Sequence, residues 1–188
     1  GLLPGLFFAA SGVMQIISGF LVDQFGARRV LLAGLALLSI SMLLCGLVSE
    51  FWMLIPLAVV GGVGNSVFHP ADLAILTDKV SRPRLGRAYG IHALSGNIGW
   101  AAAPVFIMTA VQFSDWRTAL MLAGCVGFAV LLVLLLSGRE LVESARHAVS
   151  TRRPEGTAGD NVRMLLSPTV VSCFLYFTFL FFSFLFFS

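Results

Sequence analysis

Charged residues are scarce in this chain, and their scarcity excludes an ordinary soluble domain. Only 11% of its 188 residues are Asp, Glu, Lys or Arg, whereas about a quarter are charged in a typical globular domain. Hydrophobic residues account for 58% of the sequence. This balance is typical of a protein whose solvent is lipid rather than water.

The residue types that carry metal or nucleophilic chemistry are few as well. Neither Gly-x-Ser-x-Gly nor His-Glu-x-x-His occurs, and there are only three histidines. The cysteines are odd in number, lack metal-ligand spacing and lie inside apolar segments, which predicts buried packing roles for Cys45, Cys125 and Cys173. We therefore expect no catalytic residues, no metal and no cofactor. An intramembrane enzyme is the alternative from another class, without a motif to support it.

Six long apolar segments dominate what the sequence does contain. A helix rises about 1.5 Å per residue and needs about 20 apolar residues to cross the hydrocarbon core of a bilayer. Segments of about this length are 2–22, 30–48, 51–70, 88–113, 118–136 and 169–187. They predict an all-α fold, a polytopic transmembrane helix bundle.

The basic residues alternate between the gaps that separate these segments. Eleven of the 12 Lys and Arg residues follow the first, third and fifth segments. By the positive-inside rule those gaps are cytoplasmic, while 49–50 and 114–117 face outward. Trp52 and Trp116 lie beside the outer gaps, at the headgroup level that tryptophan prefers. The net charge of +3 thus indicates topology rather than nucleic-acid binding, and we expect a multi-pass protein of the inner (cytoplasmic) membrane.

The turn between the first two segments, 19–31, reads Gly-Phe-Leu-Val-Asp-Gln-Phe-Gly-Ala-Arg-Arg-Val-Leu. Asp23 lies near the end of one predicted helix, and Arg28 and Arg29 lie near the start of the next, the reverse of what helix dipoles favour. A non-local interaction should therefore stabilise this placement. For the arginines, the stabilising factor would be the positive-inside effect. For Asp23, it would be the N-terminus of a neighbouring helix or a cation. Alternatively, Asp23 is a solvated loop acid.

This turn resembles motif A of the major facilitator superfamily, Gly-x-Leu-x-Asp-basic-x-Gly-basic-basic. The matching residues are Gly19, Leu21, Asp23, Gly26 and Arg28. Gln24 and Ala27 stand at two positions that are usually basic. The resemblance implies that Asp23, Arg28 and Arg29 favour the state in which the cytoplasmic side is closed. The two glycines would permit the tight turn.

In that family the turn lies between helices 2 and 3, so the six segments would be helices 2 to 7. Residues 1–136 would be most of an N-terminal bundle whose first helix is missing. Residues 137–168, which hold nine of the 21 formal charges, would be the cytoplasmic loop between two bundles. Residues 169–188 would be the truncated first helix of the second bundle. Trp116-Arg117 also resembles a Trp-Arg pair common before family helix 6.

The third segment ends in polar residues. Gly61, Asn65, His69 and Asp72 fall within about 80° of one another on a continuous helix. Because ionisable groups at membrane depth usually face a cavity or a partner, we predict Asn65, His69 and Asp72 in the transport pathway, with His69 and Asp72 coupling protons. Alternatively, His69 pins a kink expected at Pro70, and Asp72 lies among the headgroups. The glycine-rich run followed by Phe-His-Pro resembles the fosmidomycin-resistance branch, a set of drug-efflux transporters.

A stripe that is small apart from one histidine runs along the fourth segment: His92, Gly96, Gly99 and Ala103. Such stripes let helix backbones approach closely. Gly96, Gly99 and Pro104 also loosely resemble motif C of family antiporters. We predict either helix packing or a hinge for these three residues.

These patterns together indicate a fragment of a secondary transporter of the major facilitator superfamily. We expect proton-coupled efflux of a small organic molecule or drug by alternating access, driven by the proton gradient. Its partners would be the small-molecule substrate, the lipid bilayer and the remainder of the transporter chain, with no nucleic acid. An uptake symporter of the same fold for an organic anion or sugar is the alternative, and a non-transporting membrane scaffold is a further one.

Overall fold

The computed structural model describes residues 1–136, which form six α-helices. The helices are α1 (Leu2–Phe25), α2 (Ala27–Leu47), α3 (Phe51–Asn65), α4 (Phe68–Lys79), α5 (Leu85–Phe113) and α6 (Trp116–Leu136). A short 3-10 helix, Arg82–Arg84, precedes α5. The predicted loop 137–168 and the predicted last segment 169–188 lie outside the described residues.

The prediction of an all-α transmembrane bundle is confirmed. Five helical stretches of the described chain are long and apolar enough to cross a membrane, with α3 and α4 together forming one crossing, Phe51–Lys79. The helix interruption expected at Pro70 lies a few residues earlier, at Ser66 and Val67. Pro70 is the third residue of α4, where its missing N–H has no intrahelical bond to lose.

The buried residues of this bundle are small. All 16 buried residues within 1–136 are glycine, serine, alanine or valine. Large apolar side chains point outward instead, as Trp52 and Val13 do with exposed fractions of 74% and 68%. In lipid no hydrophobic force drives helices together, so association depends on close packing of small residues and on hydrogen bonds. The core is therefore built for van der Waals contact between backbones.

The two cysteines of the described chain differ in their exposure. Cys45 is half-buried and Cys125 is exposed, so the expectation of a buried packing role is wrong for Cys125. Its neighbour Gly124 occupies the contact with α2, and adjacent helix residues point about 100° apart. Cys125 is consequently turned away from that contact.

Helix α2 is the centre of the bundle, with α1, α3, α4 and α6 packed around it. A Cβ built on Gly64 of α3 would lie 2.8 Å from the Gly34 carbonyl oxygen of α2. A Cβ built on Gly124 of α6 would lie 2.9 Å from the backbone nitrogen of Leu43. Both distances are too short for a side chain, so α2 touches α3 and α6 backbone to backbone.

Two arginines join the ends of α2 and α6. Arg28, at the start of α2, donates from Nη2 to the Leu134 carbonyl oxygen near the end of α6 at 3.4 Å. Arg117, at the start of α6, donates from Nη2 to the Val48 carbonyl oxygen at the end of α2 at 3.1 Å. The Arg117 guanidinium thus meets a carbonyl at the negative end of the α2 dipole, because Val48 is the C-cap of α2. The two helices are antiparallel and are joined by both arginines.

Helix α5 packs on one side of the described bundle. None of its residues is buried by the described part of the chain. It packs along α6, touches α4, and stacks its Trp100 ring on Phe8 of α1 with the ring centroids 6.5 Å apart. It has no glycine-mediated backbone contact of the kind that holds α2, because a Cβ on Gly96 or Gly99 would meet nothing within 4 Å.

The connections between helices place most of the cations at one end of the bundle. This basic end comprises the α1–α2 turn and the α4–α5 link, with Arg28, Arg29, Lys79, Arg82, Arg84 and Arg87. The opposite end, with the α2–α3 and α5–α6 connections, carries Glu50, Asp115 and Arg117. The basic gaps predicted from the sequence therefore lie together at one end of the described bundle, and the gaps with few cations lie at the other end.

Replacing Gly64 by alanine should destabilise the protein by about 1 to 3 kcal/mol, the usual cost of overpacking a core. The new Cβ would lie 2.8 Å from the Gly34 oxygen and the Leu38 nitrogen, so α2 and α3 must move apart. Gly12→Ala is the matched control, because a Cβ there meets nothing within 4 Å. Thermal unfolding of the full-length protein in detergent compares the two, and equal effects would contradict the backbone contact.

Asp115 caps α6 and should make its stability depend on pH. Its Oδ1 accepts a hydrogen bond from the Thr118 backbone nitrogen at 2.7 Å, which lowers the pKa of Asp115, with a smaller contribution from Arg117. Because the folded-state pKa is below the unfolded-state pKa, the cap stabilises above the unfolded value and this stabilisation is lost as pH falls through the folded value. Asp115→Ala should therefore lower the unfolding temperature at neutral pH and less in acid.

Asp115→Asn is the control for this effect, because it keeps a capping oxygen that does not titrate in this range. Unfolding temperatures of wild type and both variants, measured from about pH 3 to about pH 7, test the assignment. Identical pH profiles for wild type and Asp115→Asn would show that the carboxylate contributes nothing.

Candidate functional site

A single glycine makes the turn between α1 and α2. Gly26 is the one residue between these helices and has a φ of +88°. Its N–H donates to the Val22 carbonyl oxygen at 2.9 Å and ends α1. L-residues disfavour positive φ because Cβ approaches the carbonyl oxygen. Gly19, which was predicted to help the turn, lies inside α1, so the turn depends on Gly26.

The other residues of this turn divide into an anchored and an exposed group. Leu21 packs against the buried cluster of Val22, Val30, Val67 and Ala71, and Arg28 is bound to α6. Asp23 and Arg29 are exposed at the basic end. A non-local interaction was expected for the arginines. For Arg28 it is the hydrogen bond to the Leu134 carbonyl oxygen of α6, which adds to the positive-inside effect.

The glycine-rich end of α3 lies between α1 and α2. Asn65 donates from Nδ2 to Ser11 Oγ of α1 at 2.9 Å. The hydroxyl oxygens of Ser18 and Ser66 lie 2.8 Å apart in a buried hydrogen bond. Gly61 is buried against Ser41 of α2 and a ring of α1. These residues form a polar seam that holds α3 to its neighbours.

The residues expected to share one polar face, from Gly61 to Asp72, contact different helices. The helix is interrupted at Ser66 and Val67, although both residues keep right-handed helical dihedral angles. Gly61 and Asn65 lie at contacts with α1 and α2, whereas Asp72 lies beside α5. His69, on the first turn of α4, is exposed.

Asp72 forms its ion pair with His92 of α5. The distance from Asp72 Oδ2 to His92 Nε2 is 3.6 Å, and the side chains are 25% and 40% exposed. His69, the predicted partner, lies three residues before Asp72 on the same helix. Three titratable side chains thus lie near one another in two membrane-crossing helices.

A signal for His92 was present in the sequence. Asp72 precedes Lys79, the end of α4, by seven residues, and His92 follows Leu85, the start of α5, by seven. Both side chains consequently lie about 10 Å from the same end of the bundle. Two antiparallel helices joined by a short link bring together residues equally distant from that link. The i, i+3 spacing of His69 and Asp72 instead favoured His69 as the partner, because it places the two residues one turn apart on the same helix.

The two glycines of the α5 stripe have no close neighbour among the described residues. Gly96 and Gly99 face open space, and Pro104 lies within α5, which continues past it to Phe113. The predicted close approach of another helix is therefore not made by any helix within 1–136. Packing or hinge roles for Gly96, Gly99 and Pro104 stay predictions.

Sequence comparisons relate this chain to known proteins. The family model of the Major Facilitator Superfamily matches residues 1–188. The membrane sensor protein UhpC of Escherichia coli is 29% identical over 130 residues, which cover 69% of this chain and 30% of UhpC. A probable L-galactonate transporter of Escherichia coli is 26% identical over 145 residues, which cover 76% of this chain and 32% of the relative.

A further relative is a multidrug resistance protein B homolog of Mycobacterium tuberculosis. It is 26% identical over 116 residues, which cover 62% of this chain and 22% of that protein. The chain thus spans less than a third of the length of the curated relatives described.

Gly26→Ala should destabilise the turn by about 1 to 2 kcal/mol, the cost of a left-handed backbone for an L-residue. Gly19→Ala, seven residues earlier in α1, should instead be neutral or stabilising, because a Cβ there meets nothing within 4 Å and alanine favours helix. Thermal unfolding of the full-length protein in detergent measures both changes. A Gly26→Ala variant as stable as Gly19→Ala would contradict the one-residue turn.

Proposed function

The chain belongs to the Major Facilitator Superfamily, and from this premise we propose that it is part of a proton-coupled secondary active transporter that exports a small organic molecule or drug. Such a protein exposes one central site alternately to the two sides of the membrane. The proton gradient supplies the energy, and no cofactor takes part. The family and its relatives indicate a transporter rather than an enzyme.

The observation that carries this proposal is the group of Asp72, His92 and His69 in α4 and α5. Ionisable side chains within membrane-crossing helices are costly and usually mark a proton relay or a substrate pathway. Asp72 and His92 lie about 10 Å inside the helix ends, deeper than the cations of the basic end. A carboxylate beside imidazoles can bind and release a proton without any covalent chemistry.

Two other features support movement around this group. The interruption at Ser66 and Val67, with Pro70 just after it, provides a hinge between α3 and α4. Asn65, beside this interruption, contributes to the pathway, since one hydrogen bond to Ser11 leaves its amide further bonding capacity. At the basic end, Asp23 and Arg29 are exposed and so are free to favour the closed cytoplasmic side.

We place the protein in the inner membrane with the basic end in the cytoplasm. Six cations lie at that end, as the positive-inside rule requires. Trp52 and Trp116, both exposed, lie at the opposite end, where tryptophan favours the headgroup region.

An uptake symporter for an organic anion or a sugar is the second candidate. A relative named as a probable L-galactonate transporter favours this alternative, whereas a relative named as a multidrug resistance protein homolog favours efflux. UhpC is named as a membrane sensor, so the complete absence of transport would direct attention to sensing.

Transport by the full-length protein in inverted membrane vesicles tests the proposal. Labelled L-galactonate and a panel of labelled drugs would be offered with and without an imposed proton gradient. Efflux predicts gradient-driven accumulation of a drug in the inverted vesicles, and Asp72→Asn should abolish it because the amide cannot bind the coupling proton. Asp78→Asn is the matched control, since Asp78 is an exposed carboxylate of the same helix at the basic end.

The outcomes separate the candidates. Gradient-driven accumulation in right-side-out rather than inverted vesicles would identify the symporter. Equal loss in Asp72→Asn and Asp78→Asn would contradict the role of Asp72. Transport that ignores the gradient would contradict proton coupling.

A further inference from the structure

The link between α4 and α5 carries charge of one sign only. Residues 80–87, called the basic link from here on, contain Arg82, Arg84 and Arg87 and no carboxylate. All three arginine side chains are exposed within the described chain. Pro83 stands between two of them in the 3-10 helix Arg82–Arg84 and restricts the backbone there. Three cations are thus held close together on a short segment.

The helices on either side fix the basic link at the membrane surface. α4 ends at Lys79 and α5 begins at Leu85, and both belong to stretches long and apolar enough to cross a membrane. The five residues between them span at most about 18 Å when extended, and both of their ends are held at helix termini. The link therefore extends no more than about 10 Å beyond those termini, whatever else packs against the protein.

The start of α5 does not by itself favour these arginines. Arg84 is the N-cap of α5, and Arg87 lies in its first turn, which contains no acidic residue. Cations at a helix N-terminus oppose the helix dipole. Residues three apart on a helix are also neighbours, so Arg84 and Arg87 repel each other. A negatively charged partner would remove both penalties.

The carboxylates of this sequence are too few to be that partner. Within the described chain the basic end has six cations and two carboxylates, Asp23 and Asp78. Residues 137–168 add four carboxylates but also five arginines. The basic end and this segment therefore stay positive together, however their charges are paired. The excess positive charge has to be balanced from outside this sequence.

We propose that the basic link is a docking surface for anionic phospholipid, with the guanidinium groups of Arg82, Arg84 and Arg87 bound to lipid phosphates. A guanidinium matches a phosphate with two parallel N–H donors, and cations clustered beside membrane-crossing helices attract anionic headgroups. The partner is a lipid rather than a soluble phosphate because the link is held at headgroup depth. This inference goes beyond the proposed transport and depends on neither its direction nor its substrate.

Tyr89 provides a place to measure the lipid beside the link. It is partly exposed and lies one turn after Leu85, where an aromatic ring with a polar tip favours the interface. Tyr89→Trp in the full-length protein, with every other tryptophan replaced by phenylalanine, makes a local fluorescent reporter. The protein would be placed in vesicles of phosphatidylcholine and phosphatidylglycerol, with bromine as the quencher on one lipid or the other.

Quenching should show phosphatidylglycerol favoured over phosphatidylcholine at this reporter by about threefold or more at low salt. The preference should fall towards about one at about 1 M salt, where charges are screened within about 3 Å. Replacing all three arginines of the link by glutamine should remove the preference at low salt. Replacing all three by lysine should retain most of it, because the charge is kept.

Two controls test whether the preference is local to the link. The first removes the same charge from residues 137–168 and should leave the preference unchanged: Arg152→Gln, Arg153→Gln and Arg163→Gln, made together. The second keeps Trp52 as the single reporter. Because Trp52 starts α3 at the opposite end of the bundle, beside Glu50, it should show no preference for phosphatidylglycerol.

Several results would overturn the assignment. The wild-type link could show no preference, the preference could survive the three glutamines, or it could be lost in the lysine variant. Equal loss in the control triple variant, or an equal preference at Trp52, would show a general effect of charge rather than a docking surface. None of these readings requires transport, so failure of the proposed transport leaves the test of the link intact.

Discussion

Close contact between the backbones of α2, α3 and α6 is the constraint on which the rest of this structure depends. Lipid chains are as apolar as leucine, so burying large side chains gains little, and helices associate where small residues let them approach. Gly34, Gly64 and Gly124 provide that approach, and serine hydroxyls add hydrogen bonds such as Ser41 Oγ to the Leu57 carbonyl oxygen at 2.6 Å. The bundle thus has glycine and serine at its centre and leucine, phenylalanine and tryptophan on its surface.

The polar interactions at the helix ends follow from this central packing. Once α2 and α6 lie antiparallel and in contact, Arg28 and Arg117 each reach the carbonyl end of the other helix. An arginine near its own helix N-terminus opposes that helix dipole, but here it neutralises the dipole of the neighbour. The same side chains that mark the membrane topology therefore also fix the two helices against each other.

The candidate site lies where this tight packing stops. α4 continues from α3 after an interruption, and α5 carries no buried residue within the described chain. The Asp72 and His92 side chains lie at the contact between α4 and α5.

The sequence by itself determined the membrane-crossing helices, the charge difference between the two ends and the turn at Gly26, because segment length, hydropathy and backbone freedom are local properties. Only the tertiary structure decided that the glycines of α3 and α6 are packed, while Gly96 and Gly99 meet no other helix within residues 1–136. It also decided that Asp72 pairs with His92 rather than His69. These outcomes depend on the register between helices far apart in the chain, and many registers satisfy the same pattern of small and large residues.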